Sequence, residues 1–336
     1  MKRRTLGKSG FATSAIGLGC MGFSQGYGPV DDEASARTIL ASVEADVTLL
    51  DTAQSYGSGH NEQLIGSVLK TAGAARDKLQ LATKFGITRT GDGVHLDAKP
   101  DRIRQYCDAS LKRLGTDFID LYYLHRVDPE VPVEDSVGAM ADLVAAGKVR
   151  FLGLSEVTPS QLEKAAAVHP ITAVSLEWSL MWREPETSII PAARRLGVGL
   201  VAYSPMGKGF LSGTLQSNAA IQSSPFRKSD PRYSGDALEQ NRRQLESLRT
   251  FAASRGITPG QLSLAWLLAQ GQDVVPIPGT HRPERAVENA ASAEIVLSES
   301  DLQQLASAIP DMAWAGNRSS FAVPTSKRIA VQGART

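Results

Sequence analysis

The chain has 336 residues, 42% of them hydrophobic, and a formal net charge of +1 from 36 basic and 35 acidic residues. This length and apolar content support a large buried core, and the even mixing of charges disfavours a nucleic-acid or membrane-surface partner held by charge. Two cysteines, Cys20 and Cys107, without a C-x-x-C, argue against a disulfide framework, and no apolar run approaches the ~18 residues of a membrane helix.

Residues 2–14 read as a polar hairpin turned at Gly7-Lys8-Ser9-Gly10. The basic start has no apolar stretch behind it, so the expectation is a soluble cytoplasmic protein. A first strand at 15–19 leads to a helix after Asp31, where Ile39, Leu40 and Val43 lie on one face. A strand at 47–50, a helix at 61–69 and a strand at 79–83 follow. Pro100 opens a helix that Gly115 stops, and a strand at 118–124 precedes a helix at 133–146 ended by Gly147. The second half repeats the rhythm. Strands are expected at 149–154, 172–175, 199–202 and 274–277. Helices are expected from Thr158-Pro159, over 187–196 with Gly197 as stop, and over 238–254, 259–270, 283–290 and 298–308. Residues 212–235 read as a polar connecting stretch. Eight βα units without a break into halves favour a closed parallel barrel over an open doubly wound sheet. Residues 1–312 are expected to form one domain. Residues 313–336 form an acid-free tail with Arg318, Lys327, Arg328 and Arg335, expected to be solvated, to pack on a partner subunit or to cover the barrel mouth.

Three apolar runs end in reactive side chains. Leu49-Leu50 leads into Asp51-Thr52-Ala53-Gln54-Ser55-Tyr56-Gly57, the run at 79–83 stops at Lys84, and Leu121-Tyr122-Tyr123-Leu124 stops at His125. In a parallel barrel these ends share one face, so Asp51, Tyr56, Lys84 and His125 are expected to converge. Each alone has an ordinary reading: a turn cap, loop packing, a solvated strand end, a satisfied core histidine. As a set they have a proton-transfer logic. A phenol with a pKa of ~10 exchanges protons poorly near neutrality. A lysine beside it is expected to lower that value, an aspartate to keep the lysine charged, and a histidine to hydrogen-bond a carbonyl oxygen. Tyr56 would then protonate an oxygen that has just gained charge, as carbonyl reduction by hydride requires.

Other motifs are weaker. Gly17-Leu18-Gly19-Cys20-Met21-Gly22 matches G-x-G-x-x-G, but the loop-like residues 23–29 follow where the dinucleotide fingerprint needs a helix. The five histidines make no i, i+4 pair, so no metal site is expected. No phosphate-loop motif or nucleophile-elbow serine is present.

Asp51-Thr52-Ala53-x-x-Tyr56-Gly57, followed by Asn61-Glu62-x-x-x-Gly66, resembles the aldo-keto reductase signature. Thr83-Lys84, the run ending at His125, Gly153-Leu154-Ser155, Val201-Ala202-Tyr203-Ser204-Pro205 and Ile277-Pro278-Gly279-Thr280 resemble further blocks of that family, over residues 3–310. The resemblance implies an α/β fold, a (β/α)8 TIM barrel with an N-terminal β-hairpin and extra C-terminal helices, binding NADPH or NADP+ without a Rossmann fold. It implies Tyr56 as proton donor, with Asp51, Lys84 and His125 completing a catalytic tetrad.

The same resemblance implies a cofactor site. Gly19, Met21, Asp51 and Ile277 would border it, and Tyr203 would stack on the nicotinamide. Ser155 and Glu156 would lie near the carboxamide, with Ser175 where many members have glutamine; Glu156 or water is expected to substitute for that shorter side chain. Ser204, Met206, Gly207, Lys208, Gly209, Phe210 and Leu211 would follow the pyrophosphate. Gly279 and Thr280 would also border the cofactor, and Arg282 and Arg285 would meet a 2′-phosphate, although His281 stands where close relatives often have lysine. Glu288 and Asn289 would hold the adenine. Trp178, Trp182, Phe226 and Tyr233 are expected either to form a substrate pocket or to pack beneath the loops. Asp46, where the family usually has glycine, is expected to tolerate a left-handed turn. The implied function is NADPH-dependent reduction of a small aldehyde or ketone by a monomer or homo-oligomer; the family's alternative is an NADP(H)-sensing regulatory protein of the potassium-channel β-subunit type.

Overall fold

The computed structural model describes residues 1–319 apart from 72, 74, 75, 92 and 216. A hairpin of β1 (Arg3–Leu6) and β2 (Phe11–Ser14) comes first, then β3 (Leu18–Gly19), α1 (Asp32–Glu44), β4 (Leu49–Asp51), α2 (His60–Thr71) and β5 (Gln80–Phe85). A second hairpin, β6 (Ile87–Thr90) and β7 (Gly93–Leu96), precedes α3 (Pro100–Leu114), β8 (Ile119–Leu124), α4 (Val133–Ala145), β9 (Val149–Ser155), α5 (Pro159–Val168) and β10 (Ile171–Glu177). The chain continues through α6 (Ile189–Leu196), β11 (Gly199–Tyr203), short helices α7 (Asn218–Gln222) and α8 (Pro225–Lys228), α9 (Gly235–Ser254), α10 (Pro259–Ala269), β12 (Val274–Pro276), α11 (Pro283–Ala291) and α12 (Glu299–Ala308).

Eight strands pair in parallel in the order β3-β4-β5-β8-β9-β10-β11-β12. Gly17 N donates to Pro276 O at 3.0 Å and Gly19 N to Pro278 O at 3.1 Å, which joins the first strand to the last. The sheet is therefore a closed (β/α)8 barrel with an N-terminal hairpin, and the open-sheet topology is excluded. Closure is tight. A Cβ added at Gly19 would sit 2.7 Å from Ile277 O, and one at Gly279 would sit 2.8 Å from Gly19 O. Only glycine lets these two segments approach so closely.

Strand alternation sorts the side chains. Leu49, Ala82, Leu121, Tyr123, Ala173, Val201 and Val275 fill the barrel interior together with Leu6 and Phe11 of the first hairpin, which plugs one end. Leu50, Leu81, Tyr122, Leu152, Val174 and Leu200 point outward into the layer beneath the helices. The helices end as their sequences require. Gly115 and Gly197 adopt left-handed φ of 65° and 73°, and Thr158 closes a capping box with Gln161. Asp46 takes φ 63°, so the aspartate does accept the left-handed turn before β4.

Two stretches differ from the sequence reading. The β6–β7 hairpin was not anticipated, although Ile87-Thr88-Arg89-Thr90 and Val94-His95-Leu96 flank a glycine-containing turn. The polar stretch after β11 contains two short helices, whose first turns are capped by Ser217 and Ser224. Beyond α12 the chain keeps packing. Trp314 is buried, and the Asn241 side chain hydrogen-bonds both Ala315 O and Ala315 N. Lys327, Arg328 and Arg335 of the tail lie outside the described residues. Among the described residues no helix is long and apolar enough to cross a membrane.

Candidate active site

The inward parity of each strand runs on past the core into polar residues. Leu49 is followed two positions later by Asp51, Ala82 by Lys84, Tyr123 by His125, Ala173 by Ser175 and Val201 by Tyr203. These residues all line one cavity of about 660 Å³ at the C-terminal end of the barrel, together with Tyr56. The β4–α2 turn that presents Tyr56 is built by Gly57 and Ser58 with φ of 57° and 53°.

The motif after Tyr56 explains how that turn is held. Asn61 Oδ1 accepts from Thr52 Oγ1 at 2.6 Å, and its Nδ2 donates to Cys20 O and Ser24 Oγ, each at 2.8 Å. Glu62 accepts from Thr83 Oγ1 at 2.6 Å and from Arg113 Nε at 2.6 Å. The start of α2 thus clamps the ends of β3, β4 and β5. Gly66, one turn further, lets α2 lie against the end of α3: a Cβ there would be 2.7 Å from both Arg113 O and Leu114 O.

Lys84 and Asp51 form a buried ion pair through Lys84 Nζ and Asp51 Oδ1, and Lys84 Nζ also donates to Thr52 O at 2.9 Å. Burial opposes the ammonium, but Asp51 and Tyr56 more than offset it, and the Lys84 pKa lies above its ordinary value. Lys84 Nζ is 5.7 Å from the centre of the Tyr56 ring. Lys84 does lower the Tyr56 pKa, as expected, but it does not decide the net direction. Burial pushes the phenol up and Lys84 cancels only part of that, so the net direction is upward. Tyr56 is held as a neutral phenol. The His125 ring packs edge-on to Tyr56 with centroids 5.8 Å apart. Burial, Arg126 and Lys84 all hold His125 well below its ordinary pKa, so it is a neutral imidazole at pH 7. Cys20 also lines the cavity, but burial and Asp51 raise its pKa and keep it a thiol.

Gly19, Met21, Ser155, Ser204, Met206, Lys208, Gly209, Ile277, Gly279, Thr280, Arg282, Arg285, Glu288 and Asn289 line the same cavity. Ser204, Gly207, Lys208 and Gly209 have φ of 47°, 50°, 50° and 91°. The turn is closed by its own backbone, with Gly207 N donating to Ser204 O at 2.9 Å and Gly209 N to Met206 O at 3.0 Å, and it brings Lys208 to the cavity wall. Arg227 Nε donates to Lys208 O at 2.9 Å and braces this turn. The Lys208 ammonium meets Asp230 at 2.7 Å, so its charge is shared with the 224–233 segment. Arg285 is paired with Glu288, which also accepts from Thr258 Oγ1 at 2.7 Å.

Four expected cofactor residues do not line the cavity: Glu156, Gly207, Phe210 and Leu211. Phe210 and Leu211 are fully buried, with Phe210 packed on Tyr233. Gly207 O accepts from Tyr233 Oη at 2.7 Å. Glu156 turns away at φ 56°. Its oxygens accept from Tyr203 Oη at 2.7 Å, Glu177 N at 2.9 Å and both terminal nitrogens of Arg318 at 2.8 and 2.6 Å. Glu156 is thus engaged away from the cavity that Ser175 lines. Ser175 Oγ itself is buried and has no hydrogen-bond partner among the described residues. Trp178, Trp182 and Tyr233 are buried beneath the loops rather than lining a pocket, while Phe226 does line the cavity. Ile87, Arg89 and Val94 of the unanticipated hairpin form another part of its wall.

The comparisons with known proteins agree with this architecture. Residues 15–310 match the aldo/keto reductase family. The chain is 42% identical over 316 residues to a probable aldo-keto reductase 1 of Glycine max, covering 93% of this chain and 90% of the relative. It is similar in structure to a glycerol dehydrogenase of Gluconobacter oxydans, with a TM-score of 0.83, 25% identity and coverage of 92% and 96% of the two chains. It is also similar to an aldo-keto reductase of Bacillus halodurans in its holo form, with a TM-score of 0.78, 26% identity and coverage of 93% and 97%. With a family match across nearly the whole barrel and a relative 42% identical over 93% of the chain, this chain belongs to the aldo/keto reductase family of nicotinamide-dependent oxidoreductases.

Proposed function

We propose that this protein uses NADPH to reduce a small aldehyde or ketone to the alcohol, with Tyr56 as the proton donor. The observation that carries the reading is the buried Lys84–Asp51 pair beside a neutral Tyr56 and a neutral His125 in one cavity. The cavity fits the cofactor. Ser175 Oγ is an unpartnered buried hydroxyl suited to an amide, Lys208 on the left-handed turn at 204–209 suits a pyrophosphate, and Arg282 and Arg285 at the start of α11 suit a 2′-phosphate. Tyr203 would supply the aromatic platform for the nicotinamide, with Glu288 and Asn289 at the adenine.

When bound, the cofactor supplies the hydride. The protein's part is to place and protonate the oxygen. His125, being neutral, can donate a hydrogen bond to a carbonyl oxygen without adding a full charge. Tyr56 gives its phenolic proton to that oxygen as negative charge develops on it. Lys84 then stabilises the phenolate left behind, and Asp51 keeps Lys84 charged and oriented.

Tyr56→Phe tests the assignment. Turnover of a carbonyl panel, followed by NADPH absorbance, is expected to fall by at least about a hundredfold, the low end of what general acid catalysis contributes. NADPH affinity should persist. Unchanged turnover would remove Tyr56 from this role.

A further inference from the structure

Arg318, from the segment after the last helix, reaches back to the barrel mouth. Its two terminal nitrogens clasp both oxygens of Glu156, and its guanidinium carbon lies 5.4 Å from the Trp182 ring centre. The pair is almost wholly buried, with the Arg318 and Glu156 side chains 6% and 5% exposed. Glu156 also accepts from the Tyr203 hydroxyl at 2.7 Å, and Tyr203 is a wall of the cavity. The neighbouring residue Ser319 lines the same cavity, and its carbonyl accepts from Lys208 Nζ at 3.4 Å. The C-terminal segment therefore touches both the Tyr203 end of the cavity and the left-handed turn.

A bidentate clasp on a buried carboxylate cancels its charge locally. That matters because the two redox forms of a nicotinamide differ by one unit of charge on the ring: the oxidised ring is cationic, the reduced ring neutral. A lone carboxylate one residue behind the platform would favour the oxidised form. A lone guanidinium would favour the reduced form.

We propose that Arg318 is a positioning residue that neutralises Glu156 behind Tyr203, and thereby keeps the site from discriminating by charge against the reduced cofactor. This rests on the assignment of Tyr203 to the nicotinamide given above. Arg318 Nη1 also lies 3.8 Å from Glu177, which Arg232 engages at 2.6 Å, and Arg232 binds Asp230 at 2.7 Å. Arg126, held by His125 O and Ser155 Oγ at 2.6 and 3.0 Å, is a second cation acting on Glu156, but the direct fork comes from Arg318.

The test is a four-member cycle in the full chain: wild type, Arg318→Met, Glu156→Gln and the double variant. Dissociation constants for NADP+ and for NADPH are measured separately by quenching of intrinsic fluorescence. Arg318→Met is expected to shift the ratio of the two constants about tenfold toward NADP+, Glu156→Gln to shift it the opposite way, and the double variant to return near wild type. Arg318→Lys, which keeps the charge but not the fork, should restore most of the wild-type ratio. A merely structural clasp would weaken both cofactors equally in Arg318→Met. That result, or shifts of the same sign in both single variants, would overturn the proposal. Wild-type protein that binds neither cofactor would instead refute the functional reading on which it rests.

Discussion

Lys84 and Asp51 are the residues whose energetics are most exposed to test. Both are about as buried as a core leucine, and each is stabilised chiefly by the other. Lys84→Met should therefore destabilise the protein by about 3–5 kcal/mol, because it leaves the Asp51 carboxyl, already pushed up by burial, without its partner in a dry site. Adding Asp51→Asn should recover part of that loss; urea unfolding of the two variants measures both. His125 gives a pH-dependent prediction. Its folded pKa lies well below the unfolded value of ~6.5, so between those two values the unfolded chain binds the extra proton. Its contribution is complete above pH ~6.5 and is lost as pH falls toward the folded value. The difference in unfolding free energy between wild type and His125→Gln should stay nearly flat from pH 7.5 to about pH 6.5 and shrink from there to pH 5. A constant difference would mean that His125 is not held neutral.

At the scale of elements, α2 is the clamp of the site. Asn61 and Glu62 tie three strand ends together at its first turn, and Gly66 sets its distance from α3. Two effects oppose each other in Gly66→Ala. Alanine gains up to about 1 kcal/mol in helix propensity, but its methyl would meet two carbonyl oxygens at 2.7 Å. Both obstacles are backbone, so strain wins. The variant should lose about 1–3 kcal/mol of stability, as overpacked sites do, and should weaken turnover through the displaced strand ends. A stabilised variant in chemical unfolding would show that the helices can separate freely.

For the whole molecule, cofactor binding and folding are linked. One cavity gathers residues at or just past the end of every barrel strand and from the C-terminal segment, so a ligand that fills it stabilises only the closed barrel. At a hundred times its dissociation constant NADPH should add about 2.7 kcal/mol and raise the unfolding temperature by roughly 4 °C. Arg282→Ala combined with Arg285→Ala should weaken NADPH by on the order of tenfold to a hundredfold, while NADH changes little. Equal losses for both cofactors, read by thermal shift, would refute the 2′-phosphate assignment.

Much of this protein could be read from the order of its residues. The eight-unit rhythm, the helix stops at Gly115, Gly147 and Gly197 and the Thr158 cap are local signals, each set by backbone preferences over a few residues. The convergence of Asp51, Lys84 and His125 was legible because strand periodicity makes every second residue face the barrel axis, and Tyr56 joins them from the turn that follows Asp51. What only the folded chain decided depends on long-range contact. The burial that lifts the Tyr56 phenol, the turning of Glu156 away from the cavity and its capture by Arg318 join residues 162 positions apart. No local pattern encodes such a meeting, because the free energy of a buried charge is set by what the whole fold brings against it.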